Sequence, residues 1–151
     1  MDSILRIAGV ELSAISQATE DVEKVSSAMK NMLPSDLRHK IIPKQEYTTG
    51  HHGNPITTLN AILTNQDDIE QMIKWIASRM SSLDRASLTD ELDQFVDEDG
   101  NLYLRFDKQA AYLGNLLLKQ RDAIRIKVRF HGRRKRLGEI RKICKEMGLI
   151  N

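Results

Sequence analysis

Hydrophobic and polar residues alternate strictly along residues 123–130, AIRIKVRF, which is the clearest structural signal in the chain. Strict alternation is typical of a β-strand that packs one face against a core, so the four aliphatic and aromatic positions are predicted to point inward. Residues 5–15 alternate in the same way, but the phase changes at Gly9, which predicts a β-bulge there. Both segments indicate a sheet with one buried face.

Four segments show the three-to-four-residue spacing of apolar positions that is typical of amphipathic helices. Thr19 is predicted to cap the first helix and Asn65 the second. A shorter helix is predicted from Leu88 to Val96. The last helix is predicted to begin with the basic run at residues 133–136 and to end at Gly148.

Two further strands are predicted at residues 38–48 and 56–64, joined by a glycine-containing turn. Pro43 cannot donate a hydrogen bond to a neighbouring strand, so the first of them is expected at a sheet edge. A strand is also predicted at residues 102–106, and a short apolar segment follows at residues 112–118.

The length and composition fit one globular domain. The chain has 151 residues, of which 40% are hydrophobic and 29% charged, enough to bury a core without disulfide or metal support. The elements therefore predict a single α+β domain over residues 1–151, with a mixed or antiparallel sheet and helices on one of its faces. The single cysteine, the lack of an apolar run of membrane-spanning length and the lack of a secretory segment favour a cytoplasmic protein.

The charge is distributed unevenly along the chain. Residues 1–100 contain 9 Lys/Arg and 17 Asp/Glu, whereas residues 101–151 contain 14 and 4, which together give the small net charge of +2. Such asymmetry indicates a polyanionic partner for the basic part, unless the fold brings the two parts together and neutralises them.

The polar face of the strand at residues 123–130 carries candidate RNA-binding residues. Arg125, Lys127 and Arg129 project from it in one row, about 6 to 7 Å apart at roughly 3.3 Å per residue, a spacing similar to that of backbone phosphates. By the same parity Tyr103 and Arg105 point away from their apolar neighbours, and single-stranded RNA binders combine such cations with stacking rings. The alternative is a solvated charged face, but three like charges in a row cost stability without a counter-ion.

The basic run RRKR is the second candidate RNA-binding segment. Arg133, Arg134, Lys135 and Arg136 are predicted to lie in the opening turn of the last helix, where the macrodipole and unpaired N–H groups already attract anions. Cations oppose the dipole at that end, and a bound phosphate would explain their presence. The alternatives are a solvated basic helix or acidic partners at residues 97–99.

Two adjacent histidines, His51 and His52, lie in the segment TTGHHGNPITTL at residues 48–59. Its glycines, asparagine and proline are what a tight connection between strands needs. Neighbouring side chains diverge and no third ligand is identifiable, which disfavours a metal site. A structural turn alone and an RNA-contacting loop both remain open, the loop with imidazoles that stack on bases or bind phosphate when protonated. Lys40 and Lys44 on the preceding strand would extend that surface.

No motif for catalysis, nucleotide binding or metal binding survives inspection. The turn DEDGN resembles the start of a calcium loop, but Leu102 and Lys108 occupy the positions that need glycine and a carboxylate. No GxxxxGK[ST], GxGxxG, GxSxG or HExxH pattern occurs. Cys144 falls on the apolar stripe of the last helix, which favours a buried thiol over a reactive one. The sequence therefore predicts a protein that is not an enzyme and holds no cofactor or metal.

Two longer motifs resemble a known family. GHHGNPI at residues 50–56 and DEDGNLYLRFDKQAAYLG at residues 97–114 closely resemble a family of small archaeal RNA-binding-domain proteins described as a predicted exosome subunit. ATEDVEKV at residues 18–25 and DAIRIKVRF at residues 122–130 extend the resemblance over nearly the whole chain. It implies an archaeal source, a fold like that of the fifth protein of the large ribosomal subunit, and a role in RNA processing or ribosome-related work. It implies no catalytic activity.

Two functions from different classes follow from these observations. The first is a non-catalytic RNA-binding protein, which acts in exosome-related RNA processing or degradation or in ribosome-related work. The second is a protein-interaction subunit of a larger complex, whose basic C-terminal half docks on an acidic partner. RNA binding predicts a steep salt dependence with a preference for RNA, whereas the second predicts salt-sensitive protein capture without that preference. A nuclease is disfavoured because no two-metal carboxylate cluster can be assigned.

Overall fold

The computed structural model describes residues 7–132 and 136–151, apart from the side chain of His51. Five strands form its sheet: β1 (Ile7–Ser16), β2 (Lys44–Thr49), β3 (Pro55–Leu63), β4 (Leu102–Asp107) and β5 (Ala123–Phe130). They lie in the order β2-β3-β1-β5-β4, and every neighbouring pair is antiparallel. The described helices are α1 (Val22–Lys30), α2 (Gln66–Arg79), α3 (Ser82–Asp90), α4 (Lys108–Tyr112) and α5 (Leu137–Glu146). The predicted α+β class is confirmed, with an antiparallel sheet.

One face of the sheet is buried against the helices. Alternate residues of the interior strands β1 and β5 and of the edge strand β4 are fully or almost fully buried: Val10, Leu12, Ala14, Ile124, Ile126, Val128, Leu102, Leu104 and Phe106. They join the helix residues in one continuous hydrophobic core. Burying each large aliphatic side chain contributes about 1.5–3 kcal/mol, so this face accounts for much of the stability of the fold.

Polar side chains cap the first two helices, and the sequence predicts one of the two caps correctly. The side chain of Asn65 accepts a hydrogen bond from the Asp68 N–H at 3.1 Å and starts α2, as predicted. For α1 the predicted cap Thr19 is wrong: the carboxylate of Asp21 accepts from the Glu23 N–H at 2.9 Å, and the helix begins two residues later. A carboxylate at this position also interacts favourably with the helix dipole.

The inward faces of the long helices follow the predicted periodicity, with one exception in α5. The apolar residues at three-to-four-residue spacing in α2, with its C-cap Met80, are buried: Ile69, Met72, Ile73, Ile76 and Met80. In α5, Ile140, Ile143 and Cys144 are buried, but Leu137 is 37% exposed because it lies in the first turn. No helix of the described ranges is long and apolar enough to cross a membrane.

Strand β1 contains the predicted bulge. Its pairing with β5 shifts between Ile7 and Gly9, so that the residue between them is an extra one opposite Phe130 and Arg129. Only the part of β1 after the bulge stays in register with both of its neighbours.

The strand predicted at residues 38–48 is shorter than expected. Residues Ser35–Lys40 form a 3-10 helix, and β2 begins only after Pro43. Burial of Leu37 and Ile41 and a 3.0 Å hydrogen bond from Arg38 Nε to the Leu33 carbonyl hold the first part in this turn. The predicted edge position is confirmed, since β2 pairs with β3 alone.

Two other segments are more irregular than their apolar spacing indicates. The helix predicted from Leu88 to Val96 is interrupted at Glu91, so that α3 is followed by the 3-10 helix Leu92–Phe95. In the apolar segment at residues 112–118, Leu116 is buried but Leu113 is 70% exposed. The end of that segment runs beside β4 and covers part of its free edge.

Candidate nucleic-acid interface

The face of the sheet opposite the helices, called the open face below, carries the polar half of each strand. Strand parity and register place on it five cations and three carboxylates: Lys44, Arg105, Arg125, Lys127 and Arg129, with Glu11, Glu46 and Asp107. Tyr103, Ser13, Asn60 and Thr58 share this face, together with the exposed Ile15 and Ile62. Cations outnumber carboxylates on this face, so its strand residues carry a net positive charge.

Strand β5 places its three cations in a column on this face, between β1 and the edge strand β4. Arg125, Lys127 and Arg129 are alternate residues of one strand, so roughly 6.6 Å of backbone separates each from the next. Arg125 is exposed, and the other two are partly exposed. The structure therefore brings the predicted row together, whereas its contact with RNA stays a prediction.

The ring of Tyr103 lies among three of these cations. The guanidinium carbons of Arg125 and Arg105 lie 5.3 and 5.4 Å from the ring centroid, and the Lys127 ammonium lies 5.9 Å from it. Distances below about 6 Å are in the range of cation–π attraction. The five predicted sheet residues thus form one surface, with an aromatic ring between cations.

The turn before β4 fixes the position of that ring. Asp97 accepts hydrogen bonds from the N–H groups of Asn101 and Asp99 at 2.9 and 3.0 Å. Burial raises the pKa of the Asp97 carboxyl, but the hydrogen bonds from Asn101, the Tyr103 side chain and Asp99 together hold that pKa below its usual value. The acidic turn therefore contacts Tyr103 through Asp97.

Glu11 is the carboxylate that faces this column. Its Oε2 lies 3.2 Å from Arg129 Nε and 3.9 Å from Lys127 Nζ. A Cβ atom at Gly9 would lie 2.7 Å from Arg129 Nη2, so glycine leaves the space in which this guanidinium lies against β1. One carboxylate between two cations leaves an excess of positive charge on β5.

A second line of polar residues crosses all five strands. Register places Lys44, Asn60, Ser13, Arg125 and Arg105 side by side, a row about 19 Å long at roughly 4.8 Å per strand. Arg125 Nε donates to Ser13 Oγ at 3.1 Å, which links β5 to β1 on this face. This row meets the β5 column at Arg125.

The two lysines predicted beside the histidine loop lie apart from each other. Lys44 belongs to the open face and lies 3.4 Å from Glu46. Lys40 is not on a strand: it lies in the 3-10 helix and forms a 2.8 Å ion pair with the largely buried Asp68 of α2. The prediction that Lys40 extends the loop surface is therefore wrong, because that ammonium neutralises a carboxylate on the helical side.

The histidine segment is a hairpin turn between β2 and β3, and the structure places it away from the cations. His51–Gly53 forms one 3-10 turn, in which His52 and Gly53 have positive φ values of 63° and 77°. Asn54 has φ −72°, so His52 and not the asparagine adopts the left-handed conformation. The turn lies roughly 16 Å along β3 from Asn60. RNA contact by His51 and His52 stays a prediction.

The basic run before α5 lies mostly outside the described residues. Arg133, Arg134 and Lys135 belong to the part of the chain that the structure does not describe. Helix α5 begins at Leu137, with Arg136 exposed at the N-cap position, and Glu139 in the first turn. The predicted helix start is therefore too early, and the first turn carries the acidic residue that the dipole favours.

Outside the open face, two observations concern reactive or metal-binding side chains of the described residues. Burial raises the pKa of the Cys144 thiol to about 12, so the sulfur stays protonated at neutral pH. Among residues 7–132 and 136–151, no group of three or more His, Cys, Asp or Glu side chains is placed to hold a metal ion.

A family model described as RNA binding matches residues 9–130 of the chain. The chain belongs to this RNA-binding family. A relative named RNA-binding protein PAB1135, from Pyrococcus abyssi, is 31% identical over 127 residues, which cover 83% of this chain and 82% of the relative. The match to the family contains the open face from Gly9 to Phe130 and ends before the basic run at residues 133–136.

Solved archaeal structures share the fold of this RNA-binding family member. Protein AF2318 from Archaeoglobus fulgidus superposes with a TM-score of 0.80 at 28% identity, covering 94% of this chain and 99% of its own. Mth689, a DUF54 protein from Methanothermobacter thermautotrophicus, superposes with a TM-score of 0.73 at 32% identity, with 91% and 98% coverage.

Several open-face residues escape prediction from sequence. Glu11 and Ser13 alternate with buried residues of β1, a signal that assigns them to the polar face, but their pairing with Arg129 and Arg125 depends on which strands are neighbours. Asn60 belongs to the row that crosses the five strands because β3 pairs with both β1 and β2. Alternation identifies the face of a residue and not its cross-strand partner.

Proposed function

We propose that this protein is a non-catalytic RNA-binding protein that holds RNA on the open face of its sheet. The observation that carries the proposal is the gathering of Arg105, Arg125 and Lys127 within 6 Å of the Tyr103 ring, opposite the helical layer. Membership in the RNA-binding family and the name of the Pyrococcus abyssi relative support RNA as the polyanion.

The arrangement suits the two chemical parts of RNA. Guanidinium groups bind phosphate oxygens through paired N–H donors, and an exposed aromatic ring stacks on a base. Cations spaced roughly 6.6 Å apart on β5 match successive phosphates of an extended strand. A base stacked on Tyr103 would then lie between phosphates that are bound by the cations around the ring.

Two segments beyond the ends of the strands would extend this surface. Arg129 is the last cation of β5, and the chain continues from there to Arg136 at the start of α5. We include Arg133, Arg134, Lys135 and Arg136 in the proposed RNA contact because they are basic and follow β5 closely in the sequence. At the other end of the sheet, we include His51 and His52 of the hairpin turn.

The proposed biological role is RNA processing or degradation related to the exosome, or ribosome-related work, in the cytoplasm. This part rests on the resemblance of GHHGNPI and DEDGNLYLRFDKQAAYLG to the archaeal family. It predicts that RNA and exosome subunits copurify with the protein from archaeal extracts. Copurification of protein partners that persists after RNase treatment and shows no RNA would favour the protein-interaction alternative.

Binding of labelled RNAs across a salt series tests the proposal. We expect a preference over duplex DNA and a log–log salt slope of several units, because each phosphate contact releases counterions. Incubation with Mg²⁺ should leave the RNA intact if the protein is non-catalytic. No binding at low salt would overturn the proposal and favour an acidic protein partner.

A charge-matched pair of variants locates the site. Replacing Arg125, Lys127 and Arg129 together with Ala should weaken RNA binding by about 100-fold and lower the salt slope by about 2 units. The control replaces Lys74, Lys142 and Lys145, exposed cations of α2 and α5, and removes the same charge from the helical side. Equal losses in both variants would remove the open face from the proposal. Replacing Arg133, Arg134 and Arg136 with Ala tests the basic run in the same assay.

A further inference from the structure

One depression of about 520 Å³ interrupts the open face beside the polar row. It lies where the second half of β1 meets the first residues of β5 and the middle of β3, and residue Gln120 before β5 closes one side. Arg105 and Arg125 stand at its edge, so it is continuous with the cations around Tyr103.

The lining of the depression is rich in groups that both donate and accept hydrogen bonds. It includes the carboxamides of Gln17, Asn60 and Gln120, the hydroxyls of Ser13 and Thr58, and the 44% exposed apolar side chain of Ile15. Within residues 7–132 and 136–151, none of the three carboxamides hydrogen-bonds to another side chain or to the backbone. The depression therefore offers an apolar contact and several hydrogen-bonding groups that the fold itself does not use.

A buried lysine makes the wall of this depression rigid. Lys108 Nζ contacts the Ile15 carbonyl at 2.9 Å, Glu20 Oε1 at 2.8 Å and Asp122 Oδ1 at 2.6 Å. One ammonium thus ties the end of β1 to the residue before β5, and Arg125 on Ser13 ties the same strands from the open side. A site held in this way needs little ordering when a ligand binds.

We propose that this depression takes one unpaired nucleobase of the RNA held on the open face. The proposal rests on the proposed RNA-binding function and names its substrate class: RNA with at least one unstacked base, in a loop, bulge or single strand. A base has two flat, weakly polar faces and an edge of mixed donors and acceptors; Ile15 suits a face and the carboxamides suit the edge. Arg105 and Arg125 at the edge are placed for the phosphates on either side. Bases inside a continuous duplex stay stacked and do not reach such a depression.

An abasic scan tests this inference separately from RNA binding itself. The probe is a hairpin RNA whose loop nucleotides are replaced one at a time by an abasic residue, with a fully paired RNA of equal length for comparison. We expect tighter binding of the hairpin. Because a base stacked on Tyr103 gives a position of its own, the depression predicts a further loop position at which base removal weakens binding by about tenfold, also in the Tyr103→Leu variant.

The variant with Asn60→Ala and Gln120→Ala should lose that position-specific effect and keep the salt slope, since neither residue carries charge. The control with Gln71→Ala and Gln109→Ala, exposed carboxamides of α2 and α4, should keep it. Equal affinity for hairpin and duplex, or a flat abasic scan, would overturn the inference. If the flat scan accompanies loss of binding in the Arg125, Lys127 and Arg129 variant, the proposed function stands and only the base site fails.

Discussion

The two faces of the sheet use the same strands for opposite purposes. In β5, Ile126 is fully buried beneath the helices, while its neighbour Lys127 points to the open face beside Tyr103 and Glu11. The strand residues of the covered face carry no charge, whereas the open face carries five cations and three carboxylates. Consecutive residues of one strand therefore contribute to different properties, one to the stability of the core and the next to the proposed ligand surface. We expect that each property can be changed by mutation without the other.

Replacing Ile126 with Ala should have the largest effect on stability. It removes buried atoms from the centre of the core, and we expect the free energy of unfolding in urea to fall by about 2–5 kcal/mol. RNA affinity of the folded protein should stay unchanged. Lys127→Ala, one residue away, should change stability by less than about 0.5 kcal/mol. Similar losses in both variants would show that the two faces are not independent.

Replacing Tyr103 with Leu should weaken RNA binding by about tenfold, because one base would lose its stacking partner. Tyr103→Phe keeps the ring and should retain most of the affinity, although it removes the hydroxyl that bonds to Asp97. Fluorescence anisotropy with a short single-stranded RNA measures both. An unchanged affinity for Tyr103→Leu would exclude stacking on this ring.

Replacing Glu11 with Gln should tighten RNA binding by about threefold at low salt. The carboxylate competes with phosphate for Arg129 and Lys127, and exposed ion pairs of this kind are worth about 0.2–1 kcal/mol. The matched control is Glu70→Gln, which makes the same charge change at an ion pair of α2. If both variants tighten binding equally, the effect comes from net charge and not from this contact.

Acidic pH should lower the free energy of unfolding through the two turns at the ends of β4, by less than the core substitution does. Hydrogen bonding from the Ala110 N–H and the nearby Lys119 lower the pKa of Asp107 despite partial burial, and the pKa of Asp97 is also lowered. Carboxyls with lowered pKa values in the folded state stabilise it above their ordinary value of 3.8, and this contribution is lost as pH falls below it. Denaturation of an Asp97→Asn and Asp107→Asn variant should therefore show a flatter pH dependence below that value. An unaltered acid profile would contradict this account.

The strands and long helices could be predicted from sequence because their signals are local. Alternation in residues 123–130 assigns both faces of β5, and periodicity assigns the buried apolar residues of α2. The 3-10 helix at Ser35–Lys40 could not be predicted, because it depends on Lys40 reaching Asp68 and Arg38 reaching the Leu33 carbonyl. Local propensity does not contain such contacts.

The candidate site could be predicted in part for the same reason. The alternation of polar and apolar residues within single strands predicts that the cations of β5 and the ring of Tyr103 point to the polar face. The depression needs side chains from four separate segments of the chain, among them Asn60 and Gln120, and its rigid wall depends on Lys108 reaching Ile15 and Asp122. Strand order decides these neighbours, and alternation carries no information about strand order.

Photo-crosslinking of bound RNA, followed by mass spectrometry of the crosslinked peptides, is a direct test of whether RNA binds on the open face. Aromatic residues mark different surfaces: Tyr103 lies on the open face, whereas Trp75 and Tyr112 lie in α2 and α4 on the helical side. With an RNA that contains 4-thiouridine, we predict crosslinks to Tyr103 and to the peptide of β5. Crosslinks confined to the peptides of Trp75 or Tyr112 would contradict RNA binding on the open face.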